Sequence, residues 1–155
     1  MTFLKNTNSG KLLEEIRANS PLIWNISNFV SMDIAANMLL SIGASPAMAH
    51  AIEEAESFAN LSKAINGALT INIGTFDKHW QKCAVKVANE AKLHDIPWVL
   101  DPVGAGASEF RSNNAKELLF LKPTVLRGNG SEIISISGIS NSGKGVDSLS
   151  LIHIW

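Results

Sequence analysis

The 155-residue chain has no tyrosine and a single cysteine, Cys83. One thiol excludes an internal disulfide framework and a cysteine-built zinc site. Charge is scarce too: Asp, Glu, Lys and Arg make up 17% of the residues, where about 25% is usual. A hydrophobic share of 46% excludes a disordered chain, since disorder goes with low hydrophobicity and high charge. Thirteen basic residues against fourteen acidic ones leave a net charge of −1. A nucleic-acid binder would carry a basic surplus. No apolar run approaches the roughly 18 residues of a membrane span. The opening MTFLKNTNSGKLLEEIRANS sets Glu14 and Glu15 inside its apolar pattern, so it does not read as a secretory signal. The expectation is one cytoplasmic domain in a reducing setting, with no nucleic acid and no membrane as partner.

Helix-period and strand-like segments alternate along the chain. Lys11 to Ala18 spaces Leu12, Leu13 and Ile16 as a helix does. Leu22 to Ile26 reads as a buried strand. Ser31 can cap a helix carrying Ile34, Ala35, Met38, Leu39 and Ile42, stopped by Gly43. Ser45 to Ala49 is a second extended piece, and Ile52 to Ile65 a helix with Glu53 and Glu54 in its first turn, where the dipole favours them. Ala68 to Gly74 is a strand. Thr75 can cap the next helix, whose apolar face is Phe76, Trp80, Cys83, Ala84, Val87 and Ala91. Pro97 to Asp101 is a strand, and Ser112 can cap a helix through Leu118, Leu119 and Leu121. Pro123 to Gly128 is a strand and Ser131 to Ser137 a short helix. Such alternation predicts βαβ units and a parallel sheet covered on both faces.

Open α/β sheets bind ligands at the carboxyl ends of their strands. The residues there are Asn25–Asn28, Met48–His50, Gly74–Thr75, Asp101–Gly106 and Arg127–Glu132. In D-P-V-G-A-G a carboxylate, Asp101, ends a strand and glycines follow. Mg²⁺ takes one or two carboxylates and keeps waters and phosphates as its other ligands. In R-G-N-G-S-E, Arg127 ends a strand, two glycines follow and a helix starts at Asn129–Ser131. A helix N-terminus offers N–H groups and a positive dipole end to phosphate. Arg127 adds a planar donor fork, and Glu132 a second acid. The bland alternatives are a tight turn at Asp101 and a well-capped helix at Glu132.

Other candidates carry less. Gly138 to Gly145, GISNSGKG, nearly matches the phosphate loop G-x-x-x-x-G-K-[ST], but Gly145 replaces the hydroxyl residue that would hold Mg²⁺. It reads as a mimic. His79 and His94 share one helix without ligand spacing and read as surface residues. His50 follows a strand end and reads equally as a site residue or as packing. Cys83 reads as core.

With these clusters in hand, the sequence resembles the hydroxyethylthiazole kinases of thiamine salvage. The matching stretches are WNISNFVSMDIAAN (Trp24 to Asn37), IGASPAMAHAIEE (Ile42 to Glu54), INIGT (Ile71 to Thr75), WVLDPVGAGAS (Trp98 to Ser108), Phe110–Arg111 and LKPTVLRGNGSEI (Leu121 to Ile133). MAHA, DPVG and RGN-x-SE together carry the specificity. The resemblance implies a ribokinase-like α/β fold, a three-layer sandwich with a central, mainly parallel sheet. It implies phosphorylation of the primary alcohol of 4-methyl-5-(2-hydroxyethyl)thiazole with ATP and Mg²⁺, in a homotrimer with sites at subunit interfaces. By the same resemblance Met48 and Asn28 lie on the thiazole side, Arg127 and Asn129 on the ATP side, and Asp101 and Glu132 near Mg²⁺ and the phosphates.

Family members run on for roughly a hundred residues more, into a Gly-rich anion hole and the residue that assists deprotonation of the alcohol. Catalytic residues are therefore expected beyond residue 148 and none within this chain, and a kinase domain so cut, hence incomplete in its fold, is expected to be nearly inactive alone. Residues 1–148 read as the N-terminal part of one domain. Leu149 to Trp155, LSLIHIW, read as a non-native tail resembling a translated sequencing adapter, expected to pack poorly, with a short native strand as the alternative. Two competing functions remain: another ribokinase-like enzyme, such as a hydroxymethylpyrimidine kinase or a nucleotide-repair dehydratase, and a non-catalytic binding or assembly module.

Overall fold

A computed structural model describes residues 7–137 and, as backbone only, 150–154. The elements in chain order are α1 (Asn8–Asn19), β1 (Leu22–Ile26), α2 (Met32–Ile42), β2 (Ser45–Ala47), a 3₁₀ turn (Ile52–Glu54), α3 (Ala55–Ala64), β3 (Ala68–Asn72), α4 (Lys78–Leu93), β4 (Trp98–Asp101), α5 (Glu109–Phe120), β5 (Val125–Asn129), α6 (Gly130–Ser137) and β6 (Ser150–Ile154). They form one six-stranded sheet in the order β2-β1-β3-β4-β5-β6. The first five strands are parallel, and β6 runs antiparallel to β5. The expected α/β architecture with a mainly parallel sheet is present.

The core lies on one face of that sheet. Trp24, Ile26, Leu69, Ile71, Trp98, Leu100 and Leu126 are buried there with Ala55 and Ala59 of α3, Cys83, Ala84, Val87, Ala88 and Ala91 of α4, and Ala115 and Leu118 of α5. The alanines let helices approach the strands closely. Cys83 is 1% exposed, and burial pushes its thiol up to about 11, so it packs rather than reacts.

The other face corrects the expectation of full cover. Side chains alternate across a strand, and here Asn25, Thr70, Asn72, Val99, Asp101 and Arg127 share that face and line an open groove of about 620 Å³ bordered by α2. No described residue of α2 is buried, and Ile34 and Met38 are 65% and 60% exposed. The polar residues interleaved in β1, β3 and β4 mark a half-covered sheet.

Several boundaries shift for local reasons. Asp77, not Thr75, caps α4, its Oδ1 accepting the Trp80 N–H at 2.8 Å. Ser108, not Ser112, caps α5; its Oγ accepts from Arg111. Ser31 sits at the head of α2 without a side-chain cap; Asn28 Oδ1 accepts the Val30 and Ser31 N–H groups instead. The expected helix from Ile52 begins as a 3₁₀ turn, and β2 stops at Ala47, which leaves Met48 in the following loop. Gly43 closes α2 at φ 95°, as expected.

Residues 150–154 pair antiparallel with β5, from Asn129↔Ser150 to Val125↔Ile154. The burial of their side chains, Trp155, and the segment Gly138 to Gly145 lie outside the described residues. Among the described residues, no helix is long and apolar enough to cross a membrane.

Candidate functional site

Asp101 ends β4, Arg127 lies in β5, Glu132 is in the first turn of α6, and Met48 follows β2. Asp101 and Met48 stand at or past the carboxyl ends of their strands, as expected; Arg127 does not end its strand but sits at the middle of β5, which runs on to Asn129, and Glu132 follows that strand in α6. The four do not form one cluster. β2 and β4 are separated by β1 and β3, which puts Met48 about 14 Å from Asp101 in the strand-to-strand direction at the usual spacing.

The acid side is a hydrogen-bonded chain. Arg127 donates from Nη1 to Asp101 Oδ2 at 2.9 Å, and Asn72 donates from Nδ2 to the same oxygen at 3.0 Å. Asn72 Oδ1 accepts from Asn28 Nδ2 at 2.6 Å and from the Gly74 N–H at 2.9 Å. Arg127 is 68% exposed, while Asp101 is 15% exposed. Burial pushes the Asp101 carboxyl above its ordinary value; the Arg127 charge pulls it back, the Glu132 charge raises it, and the Asn72 bond lowers it.

Glu132 is 9% exposed. Its Oε1 accepts the Gly104 N–H and its Oε2 the Asn129 N–H, both at 2.9 Å. Asn129 Oδ1 in turn accepts the Glu132 N–H at 2.9 Å, a reciprocal cap at the head of α6. Gly104 itself stands at φ 75°, a conformation that favours glycine. Glu132 thus joins the DPVG turn to the end of β5.

The Met48 side is held by rings and backbone. His50 Nε2 accepts the Ser27 N–H at 3.0 Å. That leaves Nδ1 to carry the hydrogen and donate to Met48 O at 3.1 Å. The His50 ring packs on Trp80 with centroids 4.5 Å apart, and Trp80 donates from Nε1 to Ser27 O. Trp24 donates from Nε1 to Ala49 O. Burial holds the His50 imidazole below its ordinary value. Of the other histidines, His79 is exposed as expected. His94 is half-buried, with Nε2 3.6 Å from Glu90 Oε2.

Two residues of this region stand in the family-like stretches but were given no role from the sequence. Asn72 pairs in register with Asp101, a relation visible only once β3 and β4 are aligned. Arg111 donates to Ile73 O at 2.5 Å, to Val103 O at 3.1 Å and to Gly74 O. It fastens the end of β3 to the DPVG turn.

Among the described residues, no group of three or more His, Cys, Asp or Glu gathers as a metal site. Asp101 nevertheless fits Mg²⁺ in the form the ion prefers. Its Oδ1 accepts no hydrogen bond among the described residues, and one carboxylate oxygen with waters and phosphate oxygens completes such a site. Glu132, with both oxygens engaged by backbone N–H groups, fits as a neighbouring charge.

Fold and site together define an α/β protein whose polar groups gather where a parallel sheet presents ligand sites. The chain belongs to the hydroxyethylthiazole kinase family, whose model matches residues 13–153. The hydroxyethylthiazole kinase of Rhizobium rhizogenes is 52% identical over 142 residues, covering 92% of this chain and 52% of the relative. That of Roseobacter denitrificans is 49% identical over 137 residues, covering 88% and 52%. The structure of the hydroxyethylthiazole kinase protein from Pyrococcus horikoshii superposes with a TM-score of 0.78 at 43% identity, covering 89% of this chain and 51% of that one. The fold is thus the ribokinase-like α/β fold. The chain spans about half the length of the curated relatives it matches.

Proposed function

We propose that this chain is the N-terminal part of an ATP-dependent kinase that phosphorylates the primary alcohol of 4-methyl-5-(2-hydroxyethyl)thiazole in thiamine biosynthesis. The observation that carries the reading is the Asp101–Arg127 pair at the carboxyl end of the sheet, in a chain of this family. Phosphoryl transfer depends on positioning and on charge placed against the phosphates. Arg127 offers the exposed fork for ATP, with Asn129 beside it at the head of α6. Asp101 offers a carboxylate oxygen to Mg²⁺, and Glu132 adds negative charge and ties the DPVG turn to the end of β5. Mg²⁺, when bound, neutralises charge on the transferring phosphate. Met48 and Asn28 serve the thiazole side.

The open sheet face supports a second statement, about this chain by itself: it binds ligands weakly and turns over poorly, as a binding or assembly unit would. The proposal includes a homotrimer, a cytoplasmic setting with no nucleic-acid or membrane partner, catalytic residues beyond residue 148, and a division into residues 1–148 and a foreign 149–155. Sequencing the locus past codon 148 tests the division; a native stop after Trp155 refutes it. The function is tested by phosphate transfer from ATP to the thiazole alcohol and to hydroxymethylpyrimidine. Both are measured with the chain as it stands and with it extended by the C-terminal half of a relative. Transfer to the thiazole by the extended protein is expected; transfer to the pyrimidine alone refutes the reading.

A further inference from the structure

We propose that Asn72 is a positioning residue that fixes the Asp101 carboxylate from the backbone and joins it to the Asn28 turn, so that one amide sets the two halves of the site. The inference rests on the kinase reading for what those halves bind. Asn72 ends β3 in register with Asp101 on β4, so both side chains rise from the same face of neighbouring strands. Its amide orientation is not free. The Gly74 N–H can only donate, and it lies 2.9 Å from Oδ1. Oδ1 also takes the Asn28 Nδ2 hydrogen at 2.6 Å, which fills its two lone pairs. Nδ2 is thereby turned toward Asp101 Oδ2, 3.0 Å away.

The other group on that oxygen is Arg127, which is 68% exposed. A surface pair of this kind is a weak restraint, and a phosphate would compete for the same fork. With Arg127 drawn to phosphate, Asn72 remains as the donor that keeps Asp101 in place. Asn28 is held from the other side, its Oδ1 accepting from Val30 and Ser31. The amide therefore has two separable arms.

Isosteric substitutions cut one arm each. Asn72→Asp keeps an acceptor for Gly74 and Asn28 but sets a carboxylate against Asp101. Asn28→Asp keeps the bonds from Val30 and Ser31 but removes the donor to Asn72. NMR-detected titration of the 155-residue chain with ATP·Mg²⁺ and with hydroxyethylthiazole reads the result. Asn72→Asp should weaken ATP·Mg²⁺ roughly ten- to a hundredfold, the worth of a hydrogen bond to a charged group, and leave the thiazole nearly unchanged. Asn28→Asp should do the reverse. Unchanged ATP·Mg²⁺ affinity in Asn72→Asp, or equal loss of both ligands, overturns the proposal. Should the wild-type chain bind neither ligand, the kinase reading still rests on transfer by the extended protein, and the Asn72 side-chain amide decides the inference. One Nδ2 hydrogen should exchange slowly in wild type and rapidly in Asp101→Ala. Rapid exchange in wild type overturns the proposal whatever the chain binds.

Discussion

Glu132 reaches across 28 residues of sequence to accept the Gly104 N–H through Oε1, while its other oxygen accepts from Asn129. One buried carboxylate thus joins the turn after β4 to the point where β5 passes directly into α6. Both places carry site residues, so their relative position depends on this side chain. Gln at this position keeps one acceptor and turns an amide NH₂ toward a backbone N–H. Leaving one buried donor unmatched costs about 1–3 kcal/mol. Glu132→Gln should therefore lower the denaturant midpoint with an unchanged slope. A midpoint equal to wild type would show that the two places hold each other without it.

Arg127→Lys should weaken ATP while sparing the thiazole. Arg127 is exposed, so its pair with Asp101 contributes at most about 1 kcal/mol to stability, and the fold should survive. Lysine keeps the charge but cannot present two parallel N–H groups to a phosphate. Losing one charge-assisted bond corresponds to roughly ten- to a hundredfold in ATP affinity. Separate titrations with ATP and with thiazole check this. An unchanged ATP constant, or a loss confined to the thiazole, would leave Arg127 a purely structural role.

The strands, their order of appearance and the strand-end clusters were legible because short strand-like segments alternate with period-3.6 helical patterns along the chain. The open face was legible in part. Asn25, Thr70 and Asn72 interleave with Trp24, Leu69 and Ile71, the pattern of a face left half-covered. Taking β1 and β3 simply as buried strands concealed it. The caps of α4 and α5 went to the wrong residue because two good candidates stood within four positions of each other. Which one caps depends on where the helix is pulled by its buried face: Asp77 is placed to meet the Trp80 N–H, and Thr75 accepts from Phe29 instead. Asn72 and Arg111 stayed hidden because their roles come from register and from contacts 29 to 38 residues away in sequence.

Gly74→Ala should disturb the Asn28–Asn72 arm without touching a charge. A Cβ at Gly74 would stand 2.5 Å from Asn28 Nδ2 and 2.7 Å from its Cγ. Asn28 is 7% exposed and fixed by three hydrogen bonds, so it cannot move aside without breaking one. Overpacking of this kind costs about 1–3 kcal/mol. The expected readout is a lower melting temperature together with weaker thiazole binding. A variant as stable as wild type would mean that the turn after β3 shifts freely.

His50 makes the Met48 loop sensitive to acid. Its Nε2 accepts the Ser27 N–H, and a protonated imidazole has no lone pair left to do so. Burial lowers its folded value below the ordinary 6.5, against the raising effect of its bond to Met48 O. The unfolded chain therefore binds more protons than the folded one between the two values. Stability must then fall as pH drops through 6.5, and it is fully present above that value. His50→Gln removes the titration and keeps an acceptor oxygen at the reach of Nε2. Denaturant midpoints measured from neutral pH downward should decline more steeply in wild type than in His50→Gln, with the two curves parallel above 6.5. The comparison isolates His50, because every other residue is common to both proteins. Curves that stay parallel through the acid range would show that His50 remains neutral, or that Ser27 finds another acceptor when it charges.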